Sequence, residues 1–270
     1  MNQRLKTYIS FIISLFFLSL ISEVVWVEPA EAQLRWDEIQ KGFEVATFEL
    51  HKESPSLLSS EVILIRLSLE EYKLNLALSE DLVGKTQSDI QTLTRRMNAV
   101  AGINASFFSP DGKALGLVLT RRGLQRPMHK GGHLLTGLFI LNEKTAKIVH
   151  RSEFSKEGVS LAVQSGPRLL AKGKKLSLTD VTSRTRRSGV AITKKGEVIL
   201  YATRVRFPGA TLVEIQNMLM LPELGITDAL NFDGGGSSQL FVEKFGTLEA
   251  PLFVTGGDLI PVGLVVRNRK

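Results

Sequence analysis

The chain predicts a single α+β domain with a mixed, mostly antiparallel sheet system and a few helices. Three observations carry that expectation. Short segments of alternating or wholly apolar residues recur from Phe43 to Arg267, whereas only two stretches show the spacing of a helix. No internal repeat, low-complexity run or long linker divides them. The 270-residue chain has no cysteine, so its stability must come from a buried core, and residues 33–270 are enough to build one large domain.

The N-terminus predicts a signal peptide over residues 1–32. Arg4 and Lys6 open it, Tyr8 to Ile21 form an apolar run broken only by serines, and Ala30-Glu31-Ala32 offers a small-x-small cleavage site. That run is short for a membrane span, so no stable span is expected after cleavage and the product is expected to be periplasmic or secreted. Strands are expected at Phe43–Leu50, Val62–Leu67 and Leu74–Leu78 from their alternation. Ser88–Met97 is the first helix, with Ile90, Leu93 and Met97 on one face, and Ala99–Ile103 is a short buried strand ending at Asn104. Strands follow at Leu115–Thr120, Leu138–Leu141 and Lys147–His150, and Ser160–Val163 leads into the turn Ser165-Gly166-Pro167. Gly189–Thr193 and Val198–Thr203, joined at Lys194-Lys195-Gly196, read as a hairpin. The second helix, Leu212–Leu221, opens with a capping box made by Thr211 and Glu214. Strands Ala229–Asp233, Gln239–Val242 and Pro261–Arg267 complete the domain.

Charge narrows the partners. The chain holds 34 basic and 27 acidic residues, a net charge of +7, and the excess is clustered. Arg121, Arg122 and Arg126 form one group, and Lys172, Lys174 and Lys175 a second. Arg184, Arg186 and Arg187 form a third, with Arg204 and Arg206 close behind. Arginines beside glycine turns suit phosphate or carboxylate, which guanidinium binds with two parallel hydrogen bonds. Two tryptophans, three tyrosines and no basic helix argue against nucleic acid. For an exported protein the expected partner is a phosphate-containing or otherwise anionic glycan.

Four segments place polar residues and glycines at the ends of apolar strands, where a rigid scaffold presents functional groups. They are Asn104–Phe108, Gln164–Arg168, Arg184–Gly189 and Asp233–Ser238. The last is the most informative, because Asp233 runs into three glycines and two serines. Consecutive glycines cost backbone entropy and are used where φ is positive or something approaches closely. Their N–H groups can also line a concave anion site. Other catalytic patterns are missing or incomplete. The two histidines of His129-Lys130-Gly131-Gly132-His133 have zinc-helix spacing, but the glycines oppose a helix and lysine stands where the catalytic glutamate would be. No Gly-x-Ser-x-Gly elbow occurs. No metal and no cofactor are expected.

In order and spacing the four segments resemble the phosphodiester glycosidase domain family, whose motifs run Asn-Gly/Ala-x-Phe-Phe, Gln-x-Gly-Pro, Arg-Thr-x-x-Gly and Asp-Gly-Gly-Gly-Ser-Ser. The matching positions are Asn104 to Phe108, Gln164 to Pro167, Arg187-Ser188, and Asp233 to Ser238. The similarity spans about residues 90–268, with serine at 188 where threonine is usual and alanine at 191 where glycine is usual. It implies an exported hydrolase that cleaves a sugar-1-phosphodiester in an envelope or extracellular glycan.

The chemistry of that reaction fits these residues. The leaving phosphate is already a stable anion, so a strong general acid is dispensable and one carboxylate with cationic support suffices. Asp233 is expected to be the carboxylate, Arg187 the phosphate clamp with Arg184 as its substitute, and Gly234, Gly235, Gly236, Ser237 and Ser238 the donors. Asn104 and Gln164 are expected to bind sugar hydroxyls or position water, and Gly166 and Ser188 complete the substrate-binding set. The competing role for Asp233 is a cap on its own turn. The competing function is a non-catalytic module that binds anionic polysaccharide and assists its assembly or export.

Overall fold

The computed structural model describes residues 34–50, 60–143, 145–205 and 209–269. The expected signal peptide at 1–32 and Arg206 lie outside the described residues. Residues Leu34–Lys270 form one unit. Its largest element is an eight-stranded sheet with the spatial order Asp37–Gln40, Phe43–Glu49, Ser60–Leu67, Val198–Val205, Ser188–Thr193, Ile226–Asn231, Arg168–Ala171 and Lys174–Lys175. Two five-stranded sheets accompany it. One runs Ala146–His150, Gly137–Leu141, Leu161–Ser165, Val118–Thr120, Gly123–Arg126, and the other Leu252–Val254, Leu240–Val242, Ala101–Asn104, Val262–Asn268, Tyr72–Leu78. The α+β class with mostly antiparallel sheets is thus the fold observed.

The Ser60–Leu67 strand, expected from alternation, is instead apolar on both faces from Val62 to Ile65. Ile63 and Ile65 face a core shared with Leu74, Ile103, Phe139, Val163, Leu230 and Leu264, which come from all three large sheets. Val62 and Leu64 face the other way, onto Leu212, Ile215, Met218 and Leu219 of the Leu212–Leu219 helix. A strand covered on both faces has no polar face to alternate with. The helix begins where expected. Thr211 accepts from the Glu214 N–H at 3.1 Å, and the Thr211 N–H donates to the Glu214 carboxylate at 2.8 Å. It stops at Leu219 rather than Leu221, ahead of the turn opened by Pro222. The first expected helix is Ile90–Arg96, capped by Asp89. Among the described residues no helix is long and apolar enough to cross a membrane.

Two differences from the sequence reading position the site. The strand expected at Ala229–Asp233 is Ile226–Asn231, so Asp233 stands beyond the strand end instead of inside it. The turn at Gly166-Pro167 is followed by the strand Arg168–Ala171, which joins a different sheet from Leu161–Ser165. That turn is therefore a crossing between sheets. The strands Asp37–Gln40, Gly123–Arg126 and Leu252–Val254 were not expected, and each is an edge strand of its sheet. Edge strands have half their ladder unpaired and carry a weak apolar signature.

Candidate active site

Strand ends meet at the Asp233 turn. The Phe232 N–H donates to the Ser188 carbonyl at 2.8 Å, and the Asp233 carbonyl accepts from Asn104 Nδ2 at 2.8 Å and Ser188 Oγ at 3.0 Å. With its main chain held on both sides, Asp233 leads into three glycines that are required for three different reasons. A Cβ on Gly234 would lie 2.9 Å from the Arg186 carbonyl oxygen. Gly235 has φ +59°, and its N–H donates to that same carbonyl at 2.9 Å. A Cβ on Gly236 would fall 2.0 Å from Oδ2 of Asp258. The third glycine leaves room for a carboxylate.

The Gly234 N–H and the Ser237 hydroxyl lie near the Asp233 side chain, and their influence alone would lower its pKa. Burial works the other way and wins, with Asp258 adding to it, so the Asp233 carboxyl stands above its ordinary value. The raised pKa marks Asp233 as a functional candidate.

The glycine turn itself has few N–H groups to spare. Gly235 serves Arg186 at 2.9 Å, Ser237 donates to the Gly234 carbonyl at 3.1 Å, and Ser238 to the Gly235 carbonyl at 3.3 Å. Three of the five N–H groups expected to form an open anion nest over Gly234–Ser238 are therefore taken up in holding the turn. Ser237 and Ser238 are buried, and the Ser238 hydroxyl has no partner.

Positive charge comes from the neighbouring loop. Arg187 is only 7% exposed; its Nε donates to Ala210 O at 3.0 Å and its Nη2 to Ser183 O at 2.6 Å. Asp180 is 3.9 Å away, and Nη1 reaches the flank of Gly234. Burial lowers the Arg187 pKa, against the pull of Asp180. A cation held mainly by neutral carbonyls, with one distant exposed carboxylate, keeps most of its charge available to an anion at the turn. Arg186 donates from Nη1 to Thr255 O at 2.7 Å and lines the same side. Arg184 differs. Its fork is taken by Glu214, at 3.0 Å from Nη1 and 2.5 Å from Nη2, so the substitute clamp expected there is an ion pair that ties the loop to the helix start.

Two expected sugar-binding residues turn out to be braces. Gln164 is fully buried and uses its whole amide on backbone. Oε1 accepts from Leu117 N and His129 N at 2.9 Å each, while Nε2 donates to His129 O at 2.8 Å and Leu135 O at 2.7 Å. It pins the exposed loop that carries His129 and His133. Asn104 is also fully buried and clamps the turn, donating to the Asp233 carbonyl and accepting from the Gln239 N–H at 3.1 Å. Ser188 is buried on the same carbonyl, and a Cβ on Gly166 would sit 1.8 Å from Leu134 O, so Ser188 braces the turn, Gly166 packs against Leu134, and neither faces solvent. The residue that sequence reasoning missed is Asp258. Its signal was the pair Gly256-Gly257 ahead of an acid, near the end of an apolar stretch.

The chain matches the family model for phosphodiester glycosidase over residues 97–267. No curated protein matches it. Among solved structures it is similar to the catalytic domain of zebrafish N-acetylglucosamine-1-phosphodiester alpha-N-acetylglucosaminidase, auto-inhibited by its pro-peptide. The identity is 15%, the TM-score 0.65, and 88% of each chain is covered. A hypothetical protein from Synechocystis aligns with a TM-score of 0.65 at 15% identity, over 87% of this chain and 64% of that one, so this chain spans less than two thirds of it. A protein of Burkholderia pseudomallei K96243 thought to be exported aligns with a TM-score of 0.56 at 14% identity, over 77% of this chain and 74% of the other. The likeness to these structures is one of fold, and the family match takes in Asn104, Gln164, Arg187 and Asp233 together. This chain belongs to the phosphodiester glycosidase family.

Proposed function

We propose that the protein hydrolyses a sugar-1-phosphodiester, breaking the bond between C1 and the phosphate oxygen, with an exported or envelope glycan as its substrate class. The observation that carries this reading is that Asp233 and Arg187 both adjoin Gly234. The Asp233 carboxyl is raised by burial, and the buried Arg187 guanidinium lies 3.8 Å from where a Cβ on the next residue, Gly234, would stand, with Asp180 as its ion-pair partner at 3.9 Å. Asp233 acts at C1, where positive charge develops as the bond breaks. Arg187, with Arg186 on the same side, holds the phosphate that leaves, and that anion departs without a proton. Asn104 and Ser188 fix the Asp233 main chain and so the direction of its carboxylate. Family membership and the solved zebrafish relative, named for an N-acetylglucosamine-1-phosphodiester, support the substrate class. Export rests on the basic start, apolar run and Ala30-Glu31-Ala32 of residues 1–32.

The test uses residues 33–270 and the methyl phosphodiester of α-N-acetylglucosamine. The expected products are free N-acetylglucosamine and methyl phosphate. Release of N-acetylglucosamine-1-phosphate and methanol would place cleavage at the phosphorus–methoxy bond and overturn the mechanism, as would oxygen from labelled water appearing in methyl phosphate. Binding of an anionic polysaccharide without any turnover would favour the binding module.

A further inference from the structure

We infer that Asp258 is the second catalytic carboxylate of this site, the base that takes a proton from the water that attacks C1. The inference rests on the sugar-phosphodiester reading above and assigns a residue that lies outside all four motif segments. Its basis is the seat that the fold makes for this side chain. Asp258 Oδ2 lies 2.0 Å from where a Cβ on Gly236 would stand, in the turn that follows Asp233.

The backbone keeps it there. The N–H groups of Gly257 and Asp258 both donate to the Gly236 carbonyl, at 2.8 and 3.0 Å. The Asp258 carbonyl accepts from Gln239 Nε2 at 2.6 Å, while Gln239 N is held by Asn104, the residue that also holds Asp233. Arg186 fastens the start of this loop through Thr255 O at 2.7 Å. An exposed acid on a loop has no need of a matching glycine on another turn. Here the carboxylate is seated, faces solvent, and is close enough to raise the pKa of Asp233. Like charges brought together cost stability, and such placement is typical of a site that uses both groups.

The reaction then divides between the two carboxylates. An Asp233 carboxylate oxygen bonds to C1 as the C1–O bond to phosphorus breaks, and the electron pair leaves with the phosphomonoester, which takes no proton. Next, a water oxygen bonds to C1 and its proton passes to Asp258. The C1–O bond to Asp233 breaks and the electron pair returns to that carboxylate. Asp258 finally releases its proton to solvent. Only the second half needs Asp258, because phosphate leaves without acid assistance.

That asymmetry gives the test. With the methyl phosphodiester of α-N-acetylglucosamine, rapid quenching of Asp258→Ala is expected to show a burst of about one methyl phosphate per enzyme. Steady turnover afterwards should be slowed on the order of 10²-fold. Azide, a nucleophile that needs no base, should restore turnover at least tenfold and yield the glycosyl azide. Asp258→Asn, which keeps the shape, should show the same burst, and melting temperatures of both variants should stay near wild type because the side chain is exposed. Wild-type turnover in both variants would overturn the assignment, as would slow turnover with neither burst nor azide rescue. A wild-type enzyme that cleaves this substrate leaves the failure with Asp258 alone, whereas a wild-type enzyme that releases neither product overturns the sugar-phosphodiester reading and this inference together.

Discussion

The strand ends at Gln164 and at Asp233 look alike in sequence, each a polar side chain running into glycine, yet they do opposite work. Gln164 spends all four hydrogen-bonding positions of its amide on backbone and is fully buried. Asp233 is held by its main chain, and its carboxyl remains half-buried with a raised pKa. A satisfied amide is a structural part, since nothing is left on it for a ligand. A charge that burial has made costly, and that the protein compensates only in part, can do chemistry. The same contrast separates Arg184, whose fork is filled by Glu214, from Arg187, which is held by carbonyls.

The largest effect that can break this comparison is at Asp233. Asp233→Asn keeps the shape and should lower kcat by about 10²–10⁴-fold. Stability should move the other way. The folded-state pKa is raised, so the native protein binds more protons than the unfolded chain between the ordinary carboxyl value and the raised one. Stability is therefore lost as pH climbs through that window, and the neutral variant should melt higher than wild type above it. Activity should fall on acidification with an apparent pKa above that of an ordinary aspartate. A variant with normal kcat, or with a melting temperature below wild type at neutral pH, would reduce Asp233 to a turn cap.

The strand ends themselves were legible in the sequence, and the contrast between them was hidden for a physical reason. The strands, the capping box of Thr211 and Glu214 and the four motif segments could be found because each depends on spacing within a few residues. Whether a polar group is satisfied depends on partners far away along the chain. Glu214 lies 30 residues from Arg184, and His129 lies 35 from Gln164. Asp258 could not be paired with Gly236 before the fold was known, because only the close approach of two loops explains why the third glycine is there. Glycine in a sequence announces that something comes near, and not what.

Gln164→Leu tests the other side of the comparison with an effect of intermediate size. It removes a partner from Leu117 N and Leu135 O, which are buried, and from both the N–H and the carbonyl of His129. Water can replace the partners of His129 at its partly exposed site, but not readily those of the other two. The expected loss is about 3 kcal/mol of stability, or a fall in melting temperature of roughly 10 °C. Below that temperature KM should change by less than about twofold, because no interaction with substrate is removed. A large rise in KM with unchanged melting would return Gln164 to the sugar-binding role.

The smallest effect is expected at Arg184, and it is informative because the same substitution three residues later should not be small. Arg184→Lys keeps the charge opposite Glu214, and at a partly exposed pair the lost fork is worth at most about 1 kcal/mol. Glu214 keeps its capping bonds to Thr211, so the helix start survives. Kinetics should match wild type. In Arg187→Lys the ammonium cannot reach Ala210 O, Ser183 O and the flank of Gly234 at once, so phosphate loses its planar partner and kcat/KM should drop on the order of tenfold or more. Measuring both variants on one phosphodiester substrate decides the matter. Equal losses would mean that Glu214 gives up Arg184 when substrate binds, and the division between spent and unspent arginines would then fail.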